Sequence, residues 1–192
     1  MRYKNLGLAA ALFMLVFSTI IQQAWAADSN AVNARQQLAT SVLADIKQAT
    51  WISEGKSEHI LYIFFDPNCP YCHRLYVNTR SWLKQGKLQL RWIPVGILTT
   101  TSAGKAIAIL QAEDPLAAFT KNESNYDSGG AIEEDLADPA TEKKLKANEE
   151  LLARISSQAV PIMLFMEKSG KANLVIGSPP KSRLDPILEK IK

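Results

Sequence analysis

Cys69 and Cys72 stand three positions apart in the run Phe64-Phe65-Asp66-Pro67-Asn68-Cys69-Pro70-Tyr71-Cys72-His73, and they are the only cysteines among 192 residues. Two thiols at that spacing serve a redox dithiol, half of a zinc site or, with the histidine that follows, a covalent haem attachment. A bridge between them closes a loop too short to constrain the unfolded chain much. The pair is therefore reactive or a ligand, and not a staple.

The three chemistries make different demands. Structural zinc needs four ligands, and beyond the pair only His59 and His73 remain. Haem attachment would make thioethers of Cys69 and Cys72, with His73 as proximal ligand and Met163 or Met166 as the distal one. Against it stand Pro70 and Tyr71, which fit a tight helix start, the apolar strand ahead of the motif, and the position of both methionines inside a predicted strand. The dithiol accounts for more residues. A helix starting at Pro70 places Cys69 where unpaired N–H groups and the positive end of the helix dipole favour a thiolate. Its pKa is expected below the free-cysteine value of ~8.5, on an exposed sulfur. Pro70 fits the first turn because its missing N–H has no intrahelical partner there. Cys72, one turn on, can attack a mixed disulfide held by Cys69, which makes Cys69 the nucleophile and Cys72 the resolving thiol. His73 either supports the thiolate or faces solvent. Asp66 either assists proton transfer at Cys72 or simply forms a turn before Pro67.

The elements that must hold these residues read as follows. Ile60 to Phe65 is an apolar run rich in aromatic and β-branched residues, which predicts a buried strand ending at Asp66-Pro67. From Pro70 the pattern turns helical, with Cys72, Tyr76, Thr79 and Leu83 on one face and Gly86 as terminator. Leu88 to Val95 is the next strand, so the dithiol sits at the strand-to-helix junction of a βαβ unit. Helical patches cover Gly104 to Ala112 and Pro115 to Lys121, a polar stretch from Asn122 to Asp138 reads as loop, and Thr141 to Ile155 is helical with a solvated charged face. Pro161 to Glu167 and Ala172 to Ile176 form a hairpin around Gly170, and Pro180 to Ile191 is a last helix. Ahead of these, Val32 to Thr50 predicts an amphipathic helix. Tyr62, Tyr76, Trp82 and Trp92 are candidates for a peptide groove, although aromatics at such spacings belong more often to a core.

The N-terminus carries Arg2 and Lys4, an apolar run from Leu6 to Ile21 and the small-x-small triplet Ala24-Trp25-Ala26, the pattern of a cleaved secretory signal over residues 1–26. The formal net charge of +3 falls close to neutral without Arg2 and Lys4, which argues against a nucleic-acid partner. With 47% hydrophobic residues the chain can build one core.

With these residues in view, the chain resembles the catalytic domain of the periplasmic DsbC/DsbG-type thiol:disulfide interchange proteins, nearest to their DsbG branch. The resemblance runs from about Trp51 to Ile176, through WISEGK, YIFFDPNCPYCHRLY, GKLQLRWIPVGIL, KANEELL and VPIMLF. It implies an α/β, thioredoxin-like fold: a mixed central sheet flanked by helices, with a helical insertion before the C-terminal β-hairpin. The expected organisation is a signal over 1–26, an N-terminal helix and linker over 27–57, and the catalytic domain over 58–192. It also implies that Pro161 is a cis-proline facing the dithiol, with the Val160 backbone offered to an extended substrate. Two departures stand out. The family usually has threonine before that proline, whereas Val160 matches the DsbA-type oxidases. The family's N-terminal dimerisation domain has no counterpart in Ala27 to Thr50, so a monomer or weak dimer is expected.

The implied function is that of a periplasmic thiol:disulfide oxidoreductase of isomerase or reductase type. Cys69 and Cys72 would be catalytic, Pro70, Tyr71 and His73 would tune them, and Val160 and Pro161 would bind substrate. No metal and no cofactor is called for. The partners would be cysteine-containing exported proteins and a membrane redox partner that resets the dithiol, with neither nucleic acid nor the membrane itself bound. A c-type haem electron-transfer protein and a peptide-binding chaperone module are the alternatives.

Overall fold

A computed structural model describes residues 30–192, apart from 131 and 157. The signal expected over residues 1–26 lies outside the described residues. Among those described, no helix is long and apolar enough to cross a membrane.

The sheet grows from the βαβ unit. Strand β2 (Ile60–Phe65) and strand β3 (Gln89–Pro94) run parallel, joined by helix α2 (Pro70–Lys84), and both strands are buried at their C-terminal ends. β4 (Ile162–Met166) pairs antiparallel with β2 and with β5 (Ala172–Ile176), and Gly170 sits at φ 82° in the connecting turn, where a side chain would be strained. A short strand β1 (Ile52–Glu54) adds antiparallel to β3, which gives the order β1-β3-β2-β4-β5. The sheet is mixed and carries an insertion before the last hairpin, as predicted, and it has one strand more than the sequence showed.

β1 was not predicted. It lies within the segment read as helix and linker, and three residues are too few to show an alternating pattern. What holds it is tertiary. Glu54 accepts a bidentate pair from the Arg80 guanidinium of α2 and a 3.0 Å bond from Trp92 Nε1 of β3.

Ahead of β1, helix α1 (30–44) and a short 3₁₀ turn (Ile46–Gln48) replace the single helix expected to Thr50. Ala39 and Val42 of α1 are fully buried in the main core. The insertion consists of α3 (Ser102–Gln111), α4 (Pro115–Ser124), a 3₁₀ turn (Tyr126–Ser128) and α5 (Pro139–Ala153). Asp114 and Asp138 cap α4 and α5 by accepting from backbone N–H groups, and each is followed by proline at the first helical position. The last helix, α6 (Lys181–Leu188), is shorter than predicted. Beyond it the chain turns back to the sheet, where Lys192 N–H donates to Met166 O at 2.8 Å and Ile191 bridges to Glu167.

Between sheet, α2 and α4 lies an aromatic cluster. Phe119 packs edge-on against Phe65 at 4.9 Å and tilted against Trp92 at 4.9 Å, with Tyr76 at 5.6 Å. Trp92 is fully buried and Tyr76 nearly so, while Trp82 donates to Asp185 and Tyr62 stacks edge-on with Trp51. The four aromatics considered for a peptide groove are thus core or core-flanking.

Candidate active site

At the end of β2 the chain must turn sharply to begin α2, and Asp66 makes that turn possible. Its fully buried carboxylate accepts from Asn68 N–H at 2.9 Å and Ser102 Oγ–H at 2.8 Å on one oxygen, and from Ile97 and Leu98 N–H at 2.8 and 3.0 Å on the other. Four donors compensate a charge that burial alone would make costly. The clamp ties the 66–69 turn to the segment after β3 and to the start of α3. Asn68 adds bonds to the Thr99 and Thr101 hydroxyls, both at 2.8 Å. The turn-forming role of Asp66 is the one its contacts describe.

Cys69 is the N-cap of α2, in extended conformation at φ −88° and ψ 114°, with Pro70 as first helical residue. Its Sγ accepts from Cys72 N–H at 3.2 Å, where a shorter polar side chain would normally cap. On its other side Sγ–H points at Val160 O, 3.6 Å away. The Val160–Pro161 peptide bond is cis, and Pro161 is buried beside the dithiol loop. Residues 91 apart in sequence therefore close one small site.

The two thiols are polarised in opposite directions. The hydrogen bond from the Cys72 side chain, helped by the Cys72 and Tyr71 backbone N–H groups, lowers the Cys69 pKa despite burial and the charge of Asp66. Burial, the Cys69 side chain and its charge push the Cys72 thiol well above the ordinary value. One thiol is prepared to ionise and its neighbour to stay protonated. One expectation needs correction: Cys69 is only 2% exposed, because the Val160 carbonyl and the helix start close over the sulfur.

His73 is turned toward the insertion and is only partly exposed. Its Nδ1 pairs with Glu123 Oε2 at 3.1 Å and its ring stacks on Tyr126, centroids 4.6 Å apart and nearly parallel. Glu123 is 2% exposed, and burial raises its pKa against the opposing pull of His73. Tyr126 donates to Asn68 O at 2.9 Å, and burial, followed by the Cys69 charge, pushes its phenol up to about 12. Neither Glu123 nor Tyr126 was identified from the sequence. The available signal was the spacing of Phe119, Asn122 and Glu123, which share the buried face of α4.

Tyr71 is 53% exposed, with the Arg74 guanidinium 5.0 Å over its ring. The ligands that zinc or haem would need are not assembled. His59 is exposed, Met163 is fully buried in β4 opposite Ile63, and Met166 lies at the far end of that strand. Among the described residues, no group of three or more His, Cys, Asp or Glu is placed to hold a metal ion.

The thiol:disulfide interchange protein DsbG of Pseudomonas aeruginosa is 31% identical over 153 residues, covering 79% of this chain and 60% of that protein. DsbG of Escherichia coli is 32% identical over 148 residues, covering 74% and 58%. The chain thus spans somewhat under two thirds of the length of these curated relatives. Proteus mirabilis ScsC in a compact conformation superposes with a TM-score of 0.62 at 18% identity, covering 97% of this chain and 96% of the other, a likeness of fold. The model of the thioredoxin-like domain matches residues 46–192, a span that takes in β1, the capped dithiol and the cis Val160–Pro161 loop, and the chain belongs to that family.

Proposed function

We propose that this chain is a thiol:disulfide oxidoreductase that exchanges disulfides with cysteine-containing proteins of the periplasm. The observation that carries the reading is the opposite polarisation of Cys69 and Cys72 at a helix N-terminus beside Val160. The DsbG relatives support it.

The Cys69 thiolate attacks one sulfur of a substrate disulfide, forming a mixed disulfide and releasing the other substrate sulfur as a thiolate that takes up a proton. Cys72 then gives up its proton and attacks Cys69 Sγ. The mixed disulfide breaks, the substrate leaves with both sulfurs reduced, and the protein holds a Cys69–Cys72 disulfide. Isomerisation is the variant in which a second substrate thiol attacks the mixed disulfide first, restoring the Cys69 thiolate. A sulfenic acid enters the same path, its oxygen leaving as water when Cys69 bonds the sulfur.

In this scheme Pro70 begins the helix that polarises Cys69, Tyr71 offers an exposed surface to the substrate, and His73 fixes the first turn of α2 to α4 through Glu123. Val160 and Pro161 supply the backbone against which an extended substrate lies. A membrane-bound reductant is the partner that returns the disulfide to the dithiol.

Two measurements test the reading. Incubation of Cys72→Ser with a disulfide-bonded substrate protein is expected to trap a mixed disulfide through Cys69, seen as a reductant-sensitive adduct, whereas Cys69→Ser traps none. Redox equilibration against glutathione then sets direction, a low potential indicating a reductase and a high one an oxidase. No adduct with Cys72→Ser would reject the enzyme.

A further inference from the structure

A groove of about 650 Å³ opens beside the dithiol, lined among others by Tyr71, Arg74, Val160, Ile176, Pro180 and Arg183. It adjoins the reacting sulfur, since its lining residue Tyr71 lies between the two cysteines in sequence and Val160 O, on its wall, is 3.6 Å from Cys69 Sγ. From there it runs outward between the first turn of α2, the end of β5 and the start of α6. Tyr71 and Ile176 are 53% and 51% exposed, large apolar surfaces on its walls.

The charge of this groove is one-sided. Arg74 and Arg183 are its charged lining residues, both exposed, and no carboxylate lines it. Acids on the adjoining elements are engaged elsewhere: Asp185 of α6 pairs with Lys181 at 2.8 Å and accepts from Trp82, and Glu123 pairs with His73. Among the described residues neither arginine has a carboxylate partner. The Arg74 guanidinium instead lies over the Tyr71 ring, which holds it at the groove without neutralising it.

We infer that this groove selects acidic substrate segments: an extended stretch with Asp or Glu beside the reacting cysteine, its apolar neighbours resting on Tyr71 and Ile176. The inference rests on the disulfide-exchange reading and adds a charge preference to it. Solvent-exposed pairs of this kind contribute modestly to affinity and more to the rate of capture, with a dependence on salt.

The test uses two fluorogenic disulfide peptides identical except for Glu or Lys on both sides of the cysteine, each reacted with the reduced protein in a stopped-flow mixer. The Glu peptide is expected to react about fivefold faster at low salt, with the margin shrinking at high salt. Arg74→Gln with Arg183→Gln levels the two rates, and Arg74→Glu with Arg183→Glu reverses their order. Both side chains are exposed, so the fold is expected to survive, and the thermal midpoint of each variant checks it. Equal rates in the unaltered protein, or a preference that persists after charge reversal, overturn the inference and leave disulfide exchange standing. Exchange with neither peptide overturns the oxidoreductase reading, and the inference with it.

Discussion

Cys69 and Cys72 occupy one turn of one helix, yet only the first has its sulfur at the end where backbone N–H groups are free to point at it. That difference separates their titrations, and with it their roles. Alkylation of the reduced protein followed by mass spectrometry is expected to show Cys69 reacting with a midpoint below the ordinary ~8.5, while Cys72 stays unmodified through neutral pH. Stability of the reduced form carries the same signature in opposite senses. The folded pKa of Cys69 is lowered, so its contribution is present above the unfolded thiol value and is lost as pH falls through the folded one. The folded pKa of Cys72 is raised, so its contribution is complete below the unfolded value and is lost as pH climbs beyond it. Urea midpoints of the reduced chain are therefore expected to rise toward the unfolded thiol value of about 8.5 and fall beyond it. Cys69→Ser removes the rise and keeps the fall. At this scale the dithiol was legible because its spacing and its proline encode a helix start. The environment of His73 was not, since Glu123 and Tyr126 come from a stretch about fifty residues away whose polar composition reads as loop.

At the scale of elements, the site depends on a turn and a loop that share no secondary structure. Asp66 joins them with four hydrogen bonds, two on each oxygen. Asp66→Asn keeps the shape and replaces one acceptor by an NH₂ donor, which then faces donors. The expected cost is about 2–4 kcal/mol, measured by urea unfolding, with slower reaction at Cys69 as the 66–69 turn loosens. Strands β2, β3, β4 and β5 were readable because each is an apolar run long enough to stand out from its flanks. β1 was not, because Glu54 is held through Arg80 and Trp92, contacts that no local pattern announces. The end of α6 was overestimated for the same reason. Its apolar spacing continues to Ile191, but the backbone there finds partners on the hairpin instead of within the helix.

For the whole molecule, one core unites segments that sequence reading kept apart. Val42 of α1 and Leu184 of α6, near opposite ends of the described chain, are both fully buried in it together with β2 and β4. Val42→Ala is accordingly expected to lower stability by about 2 kcal/mol and to shift a single thermal transition down by roughly 4–8 °C. Two separate transitions would show that α1 melts on its own. The fold class and the order of the insertion and hairpin followed from apolar runs and from the resemblance, while the tight closure around Cys69 required the loop holding Val160, which no spacing near the motif foretells.

That closure limits who can be served. A cysteine that is 2% exposed, with a main-chain oxygen 3.6 Å from its sulfur, is reached only by a partner whose own sulfur can be brought in on a slender stem. A disulfide locked inside a rigid globule cannot be threaded to that depth, whereas one on a frayed or unfinished region can be drawn out to meet it. In the proposed exchange reaction, so close an approach is expected to spare cross-links that are already settled and to engage those whose surroundings still yield.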